Sequence, residues 1–293
     1  MLGYLEAVGT VGGIYALLAL ALNLQYGFTG LINFGVVGFF AIGAYTSALL
    51  AMQGGPFLLD IAAAAILAAI FSWPLGLICL RLRDDYLAIV TLAFAEIVRT
   101  VIVSEEWLTS GTRGIPGIPR PFAGLPAGTA AVAYLGLVLA TVVVTAVLMR
   151  YLVHSPFGRM IQAIRDDEDA VPALGKNPAS FKLVVFSFGA ALTGIAGALY
   201  AHYLTYISPD QFVPLLTFYI WMAVIMGGAG RLGGAIAGAA LLTVFLEGTR
   251  FLRDLIPFVS EVQMASLRLA VIGLLLILFT LYCPQGLLGR RIA

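Results

Sequence analysis

Apolar residues fill most of the chain in runs of about 20 positions, which are separated by short polar or glycine-rich stretches. Runs such as residues 61–80 are apolar on every side, whereas the strands of a membrane β-barrel alternate apolar and polar residues. Helices of this length satisfy their own backbone hydrogen bonds in hydrocarbon, so each run predicts a transmembrane helix. We predict an all-α polytopic membrane protein with about nine spans, between eight and ten. The predicted spans are residues 5–26, 31–52, 57–80, 86–104, 129–153, 182–207, 212–228, 233–250 and 266–282.

The composition agrees with this class. Hydrophobic residues make up 61% of the 293 positions and charged residues 11%, and the mean hydropathy is +1.02. Residues 1–293 are therefore expected to form one transmembrane domain in a lipid bilayer. The formal net charge of +1 gives no indication of a nucleic-acid partner.

The longest polar stretch, residues 154–182, carries seven charged side chains between Arg159 and Lys176. If this stretch is cytoplasmic, the cytoplasmic loops contain more basic residues than the external ones, as is typical of membrane proteins. The C-terminus then lies inside and the N-terminus outside. Alternation of the spans places Arg81, Arg83, Arg231, Arg290 and Arg291 inside, and Arg113, Arg120 and Arg253 outside.

Local signals inside the polar stretch predict a short helix. Ser155 is a good N-cap for a helix that begins at Pro156, because proline presets the backbone angle and its missing donor is not needed there. We expect this helix to run through Ala170 and to end because of Pro172. Asn177 repeats the cap signal before the next span. A short helix held between two membrane helices is suited to transmit movement, whereas the alternative is a solvated loop with no partner.

Residues 105–128 form the largest segment predicted outside. Several prolines and glycines in it predict an ordered or partner-binding loop and not a helix.

A glycine pattern lies between the first two spans. Gly27, Gly30 and Gly35 surround Thr29 and Asn33. A helix break of this kind leaves free backbone groups that bind a polar solute inside the protein. The alternative is a simple tight turn between two helices.

Two pairs of opposite charges lie inside predicted spans. Glu96 and Arg99 are three residues apart, as are Glu247 and Arg250. Each pair neutralises itself on one helical face, which lowers the cost of placing it in the membrane. The two glutamates are candidates for a gate or solute path, and the alternative is that the arginines only anchor the helices at the outer headgroups.

No catalytic or metal-binding pattern is present. His154 and His202 lack a paired-ligand spacing, and Cys79 and Cys283 suggest neither a metal site nor a disulfide framework. Residues 170–177 lack the first glycine and the Ser/Thr of an ATP phosphate-binding loop. We predict no catalytic residues, no metal and no cofactor, so any use of ATP requires a separate subunit.

Several motifs in the same order resemble the membrane permease subunits of branched-chain amino acid ABC importers, of the LivM-type branch. Departures are Asp84, where the family commonly has glycine, and Pro172, where alanine or glutamate is more usual. The motifs are ALNLQ (21–25), TGLINFG (29–35), GAY (43–45), RLR (81–83), DYLAIVTL (85–92), EIVR (96–99), GIP (117–119), GR (158–159), AIRDDE (163–168), LG (174–175), AGALY (196–200), ISP (207–209), GG (227–228) and PQGLLG (284–289).

The resemblance implies a transport subunit of a bacterial inner-membrane importer. Its implied partners are a second permease of the same family, two cytoplasmic ATP-binding subunits and an external, periplasmic solute-binding protein. Residues 154–182 would be the cytoplasmic coupling loop that docks on an ATP-binding subunit. The implied coupling residues are Gly158, Arg159, Ala163, Arg165, Asp166, Asp167, Glu168 and Gly175. We expect Gly158 to matter because a side chain there would crowd the docked subunit, and Arg159 and Arg165 to act as charged contacts at the rim of the dock.

The candidate residues of a translocation path or gate are Asn23, Asn33, Tyr45, Thr91, Glu96 and Glu247. Two other functions remain open at this point. The same type of permease transports urea, short amides or other amino acids in related systems. An ion-coupled secondary transporter would work alone and would need no docking loop.

Overall fold

Ten α-helices make up most of the chain that the computed structural model describes, which is residues 2–79, 84–255 and ten isolated positions between 270 and 287. The predicted span 266–282 falls largely outside the described residues, as do Arg81, Arg83, Arg290 and Arg291. The helices are α1 (Leu2–Leu22), α2 (Val36–Met52), α3 (Phe57–Cys79), α4 (Asp84–Ser104), α5 (Glu106–Thr109), α6 (Ala127–His154), α7 (Pro156–Asp166), α8 (Pro178–Leu204), α9 (Pro214–Gly227) and α10 (Leu232–Leu255).

The apolar helices agree with the predicted spans. Among the described residues, six helical stretches are long and apolar enough to cross a membrane: Gly3–Gly27, Phe57–Ile78, Tyr86–Ser104, Gly128–His154, Pro178–Leu204 and Pro209–Gly227. Two shorter apolar helices, Val36–Met52 and Leu232–Gly248, accompany them. Together they match the first eight predicted spans.

Helices α1, α2 and α8 form the centre of the described structure. Helix α8 packs against α2 and α3, and α1 packs against α10 and α6. Phe39 and Phe186 are fully buried between these helices. A Cβ atom on Gly43 would overlap the backbone of Gly194, so small residues let α2 and α8 approach closely.

Helix α2 begins later than the predicted span 31–52, at Val36. The amide of Gly35 donates to the side-chain oxygen of Asn33 at 2.7 Å, and the amide of Val37 donates to the hydroxyl of Thr217 at 3.2 Å. These bonds occupy donors at the start of the helix that would otherwise be unsatisfied. The hydropathy pattern missed this boundary because Thr217 belongs to a distant helix.

Residues 105–128, the loop predicted to be external, contain more regular structure than expected. Residues Glu106–Thr109 form one helical turn, and Gly111–Arg113 form a 3₁₀ turn. The two-residue strand β1, Ile115–Pro116, pairs antiparallel with β2, Tyr206–Ile207, which follows α8. The prediction of no helix in this loop was therefore wrong at Glu106–Thr109, whereas the all-α fold is confirmed. The short strand pair ties the loop to the end of α8.

Helix α7 is shorter than predicted. It ends at Asp166, because Asp167 adopts an extended backbone and its carboxylate accepts bonds from the amides of Asp169 and Ala170 at 3.0 and 3.1 Å. This local turn competes with the helix. Pro172 does not end α7 but lies in the first turn of a 3₁₀ helix, Val171–Leu174.

Both predicted caps of the coupling loop are confirmed. The side chain of Ser155 accepts a bond from the amide of Gly158 at 3.2 Å, and that of Asn177 accepts one from the amide of Ala179 at 3.1 Å. These caps fix both ends of the polar stretch to the adjoining helices.

The topology is tested with single cysteines at Thr112 and Ser180, in a background with Cys79 and Cys283 replaced by alanine. Both positions are exposed and only α6 crosses between them. We expect an impermeant thiol reagent to label Ser180→Cys only from the cytoplasmic side and Thr112→Cys only from outside. Labelling of both from one face would contradict the odd number of crossings.

Candidate functional site

Residues 23–35 form a buried break between α1 and α2, which we call the helix break. Its first turn, Asn23–Gly27, is a π-helix, and the chain is not helical from Leu31 to Gly35. Asn23, Gln25 and Asn33 are each at most 2% exposed. Polar groups buried to this degree need partners inside the protein, because water does not reach them.

The partners come from helices α4, α8 and α9. Asn33 donates its side-chain N–H to Gln25 at 2.8 Å, and Gln25 donates to the carbonyl of Phe186 at 3.1 Å. The indole of Trp221 donates to the carbonyl of Asn33 at 3.0 Å. The hydroxyl of Thr91 accepts from the amide of Phe34 at 2.9 Å, while it donates to the carbonyl of Ala88. Three helices therefore hold the break in place.

Asn23 joins the break to the turn between α9 and α10. Its side-chain N–H donates to the carbonyl of Arg231 at 3.1 Å, and its oxygen accepts from the amide of Gly230 at 2.8 Å. Three of the candidate path residues, Asn23, Asn33 and Thr91, thus bond to the helix break or lie within it. Their polar side-chain groups are bonded within the chain, so they build the frame of the break.

Arg165 connects the coupling loop directly to this break. Its Nη1 donates to the carbonyl of Gly27 at 2.7 Å, while its Nε and Nη2 donate to Asp166 at 3.1 and 3.0 Å. The sequence analysis placed Arg165 at the rim of a docking surface and missed this contact. No local pattern identifies it, because Gly27 lies 138 positions away.

Gly158 also has a packing role within the chain. It is buried, and a Cβ atom there would overlap the backbone of Leu152 and Val153. A side chain at this position would therefore crowd the end of α6 in the same chain. Gly175, by contrast, has open space around it, and its φ of +70° is the reason that a glycine fits there.

The rest of the coupling loop offers an exposed surface. Arg159 and the acidic residues Asp166, Asp167 and Glu168 are exposed, and Ala163 is half-buried. Glu168 forms an ion pair with Lys182, the buried lysine in the first turns of α8. Leu174, the apolar residue that ends the 3₁₀ helix of this loop, is 69% exposed.

Glu96 and Arg99 form the predicted ion pair on α4. The Nε of Arg99 donates to the carboxylate of Glu96 at 3.0 Å. The side chains are 45% and 31% exposed, and Thr100 and Ser104 extend this polar face. A charged face turned to hydrocarbon is costly, so this side of α4 suits a polar path or a second subunit.

Comparison with known proteins assigns the chain to a family. Residues 4–280 match the family described as the branched-chain amino acid transport system / permease component. The chain belongs to this family. It is a permease component of a branched-chain amino acid transport system, a membrane subunit that is not catalytic, and it acts with other subunits.

Three relatives illustrate the similarity of this permease to known proteins. It is 36% identical to the high-affinity branched-chain amino acid transport system permease protein LivM of Escherichia coli (strain K12), over 96% of this chain and 69% of that protein. It is 27% identical to the probable LivM of Methanocaldococcus jannaschii, over 95% of this chain and 91% of that protein. It is 26% identical to the LivH permease protein of Escherichia coli (strain K12), over 96% and 93%. No solved structure matches.

The remaining path candidates of this permease lie away from the helix break. Tyr45 is buried beside Phe212, with ring centroids 5.8 Å apart, near the C-terminal end of α8. Glu247 accepts a bond from the hydroxyl of Tyr4 at 3.2 Å, and the side chain of Arg250 is outside the described residues. The described contacts do not bring the six candidates into one site.

The permease also contains a buried polar cluster that the sequence analysis missed. His202 contacts Ser47 at 3.0 Å and the carbonyl of Pro119 at 2.8 Å, and the carboxylate of Asp60 lies 3.8 Å from its ring. His202 and Asp60 are 2% and 1% exposed. The cluster joins α2, α3, α8 and the external loop. An ionisable residue inside each apolar run was the signal that could have identified it.

The hydrogen bonds that hold the helix break are tested with Asn33→Leu. This change removes a donor to Gln25 and an acceptor for Gly35, each worth about 1–3 kcal/mol when its partner stays buried. We expect a clear fall in the thermal unfolding midpoint of the detergent-solubilised protein. The matched control is Thr141→Val, because Thr141 only bonds the carbonyl of Leu137 in its own helix and should cost about 0.5 kcal/mol. Equal unfolding midpoints for both variants would contradict a stabilising role of the Asn33 bonds.

Proposed function

We propose that this permease is one of two that together form the pore of an ATP-driven importer in a bacterial inner membrane. It would cross the membrane about nine times, with the coupling loop and the C-terminus in the cytoplasm. Its partners would be a second permease, two cytoplasmic ATP-binding subunits and an external solute-binding protein. LivM and LivH of Escherichia coli are both similar to this chain, which supports a pair of related permeases. The chain itself would bind no cofactor.

The observation that carries the mechanism is the bond from Arg165 to the carbonyl of Gly27. Arg165 lies at the end of α7, and Gly27 ends the π-helical turn of the helix break. A displacement of α7 by an ATP-binding subunit therefore acts on the break without an intermediate element. Single π-turns inside α-helices often lie at functional sites, and this one would be the part that rearranges.

Asn23 would spread the same displacement to the far side of the break. Its two bonds tie the π-helical turn to Gly230 and Arg231, between α9 and α10. The ATP cycle drives transport only if the bound subunits stabilise one permease state more than another. The pairs Arg165–Gly27 and Asn23–Gly230 are contacts that would differ between such states.

The exposed part of the coupling loop would be the docking surface. The ion pair from Glu168 to Lys182 holds the acidic turn against α8, so force on this turn reaches a central helix. Leu174 would insert into an apolar pocket of the ATP-binding subunit, as central apolar anchors do in protein interfaces. The acidic residues around it would contact basic residues at the rim.

The polar face of α4 would line the pore between the two permeases. Glu96 and Arg99 would then meet water or the second permease and not hydrocarbon. This placement leaves the apolar side chains of α3 and α6 towards lipid.

The docking surface is tested with Leu174→Asp in the assembled importer. Loss of a buried apolar anchor costs about 2 kcal/mol or more, which corresponds to a roughly 30-fold weaker hold on the ATP-binding subunits. Copurification of those subunits with the permease pair measures the effect. The control Leu174→Met keeps an apolar side chain of similar size and should retain them. Normal retention in Leu174→Asp would contradict docking at this turn.

The link through Arg165 is tested by the number of solute molecules transported per ATP hydrolysed in vesicles. Arg165→Gln removes a charge-assisted bond worth about 1.5–3 kcal/mol. We expect ATP hydrolysis and subunit retention to persist while transport per ATP falls at least about tenfold. Arg165→Lys keeps a donor for the carbonyl of Gly27 and should recover part of the loss. Dissociation of the ATP-binding subunits in Arg165→Gln would instead assign Arg165 to the docking surface.

A further inference from the structure

A lateral cavity of about 1120 Å³ lies beside α6, at the end of that helix which meets the coupling loop. Its walls are α6, α7 and the start of α10. Among its lining residues, Arg159 is one of the implied coupling residues, and Gly230 and Arg231 bond Asn23 through their backbone. No role described above concerns the space of the cavity itself.

One wall is an apolar face of α6. Leu139, Val143 and Val147 follow one another at intervals of four residues, so they lie on one side of the helix. They are 45–60% exposed, so this wall faces outward from the described chain. The face extends over about 12 Å by helical rise. Leu232 and Ile236 of α10 provide an apolar wall on the opposite side.

The end of the cavity near the coupling loop is basic. Arg150 of α6, Arg159 of α7 and Arg231 before α10 line it together with His154. No aspartate or glutamate lines the cavity, and none of the three guanidinium groups forms an ion pair with another described residue. Three separate elements therefore direct positive charge to one place without a negative partner in the described chain.

We propose that this cavity binds an anionic phospholipid. The phosphate lies between Arg150, Arg159 and Arg231, and an acyl chain lies along Leu139, Val143 and Val147. Guanidinium groups suit phosphate because they donate two parallel hydrogen bonds to it. Basic pockets between membrane helices on the cytoplasmic side are a recurring form of lipid headgroup site.

The arrangement favours an anionic lipid over a free phosphate or an acidic protein segment as the ligand. A free phosphate needs the arginines but makes no use of an apolar wall that is several residues long. A protein segment would satisfy the wall, but three unpaired arginines at one end select an anionic group. The wall lies on a membrane-crossing helix, so lipid chains reach it from the bilayer.

The test uses the complete importer complex, delipidated in detergent and titrated with phosphatidylglycerol or with phosphatidylcholine of the same chains. Native mass spectrometry measures the bound lipid. The double variant Arg150→Gln, Arg231→Gln removes two charges and leaves Arg159 and the coupling loop intact. At about 1 kcal/mol per basic residue near an anionic headgroup, we expect roughly 30-fold weaker binding of phosphatidylglycerol. Binding of phosphatidylcholine should change little.

Three controls separate this site from general membrane attraction. Lys176→Gln removes an exposed positive charge of the same loop that does not line the cavity, and should bind phosphatidylglycerol like the parent. Arg150→Lys, Arg231→Lys keeps the charges and should retain most of the preference. Val143→Trp fills part of the cavity beside the apolar wall without a change of charge, so it should weaken binding of both lipids.

Several results would overturn the proposal. Equal affinity of the parent for the two lipids, or no change in the double glutamine variant, would contradict an anionic headgroup site. Displacement of phosphatidylglycerol by inorganic phosphate alone would identify a site for a free anion. A cross-link from Val143→Cys to the second permease would identify the cavity as a subunit interface.

Discussion

The buried polar groups of the helix break need hydrogen-bond partners, and this need determines how the central helices are arranged. Asn23, Gln25 and Asn33 lie where water does not reach. An unsatisfied amide in such a place costs about 1–3 kcal/mol, so α4, α8 and α9 must each place a specific group against the break. The contacts from Thr91, Phe186 and Trp221 meet this requirement.

The same requirement gives the coupling loop a direct connection to the interior. The carbonyl of Gly27 ends the π-helical turn and accepts its bond from Arg165. Arg165 therefore belongs to the frame of the break as well as to α7. A loop that only floated in solvent would lack this contact, and it would also lack the ion pair that ties Glu168 to α8. The docking and transmission roles proposed for the loop both follow from these attachments.

The sequence predicted the features that depend on neighbouring residues. The described spans follow from local hydropathy, and the caps at Ser155 and Asn177 follow from a side chain that binds an amide two or three positions away. The early end of α7 is also local, because the turn at Asp167 ends the helix before Pro172 is reached. The sequence prediction considered only the proline.

Other features depend on residues that are far apart along the chain. The start of α2 is set by Thr217, and the packing role of Gly158 is set by the path of the chain around the end of α6. The cluster of Ser47, Asp60 and His202 joins three helices. The ionisable residues Asp60 and His202 inside apolar runs mark each helix, but no spacing in the sequence indicates that they meet. Of the candidate path residues, Asn23, Asn33 and Thr91 share the break. Their role in a translocation path stays a prediction, as does that of Tyr45, Glu96 and Glu247.

The central claim is that the ATP-binding subunits act on the helix break through Arg165. Hydrogen exchange of the amides of residues 23–35 tests this most directly. It is measured in the assembled importer with and without ATP. The importer carries ATP-binding subunits that bind ATP but do not hydrolyse it. We predict that ATP changes the protection of these amides in the parental complex and that Arg165→Gln removes the change. Identical protection with and without ATP in the parental complex, with ATP shown to be bound, would contradict the account.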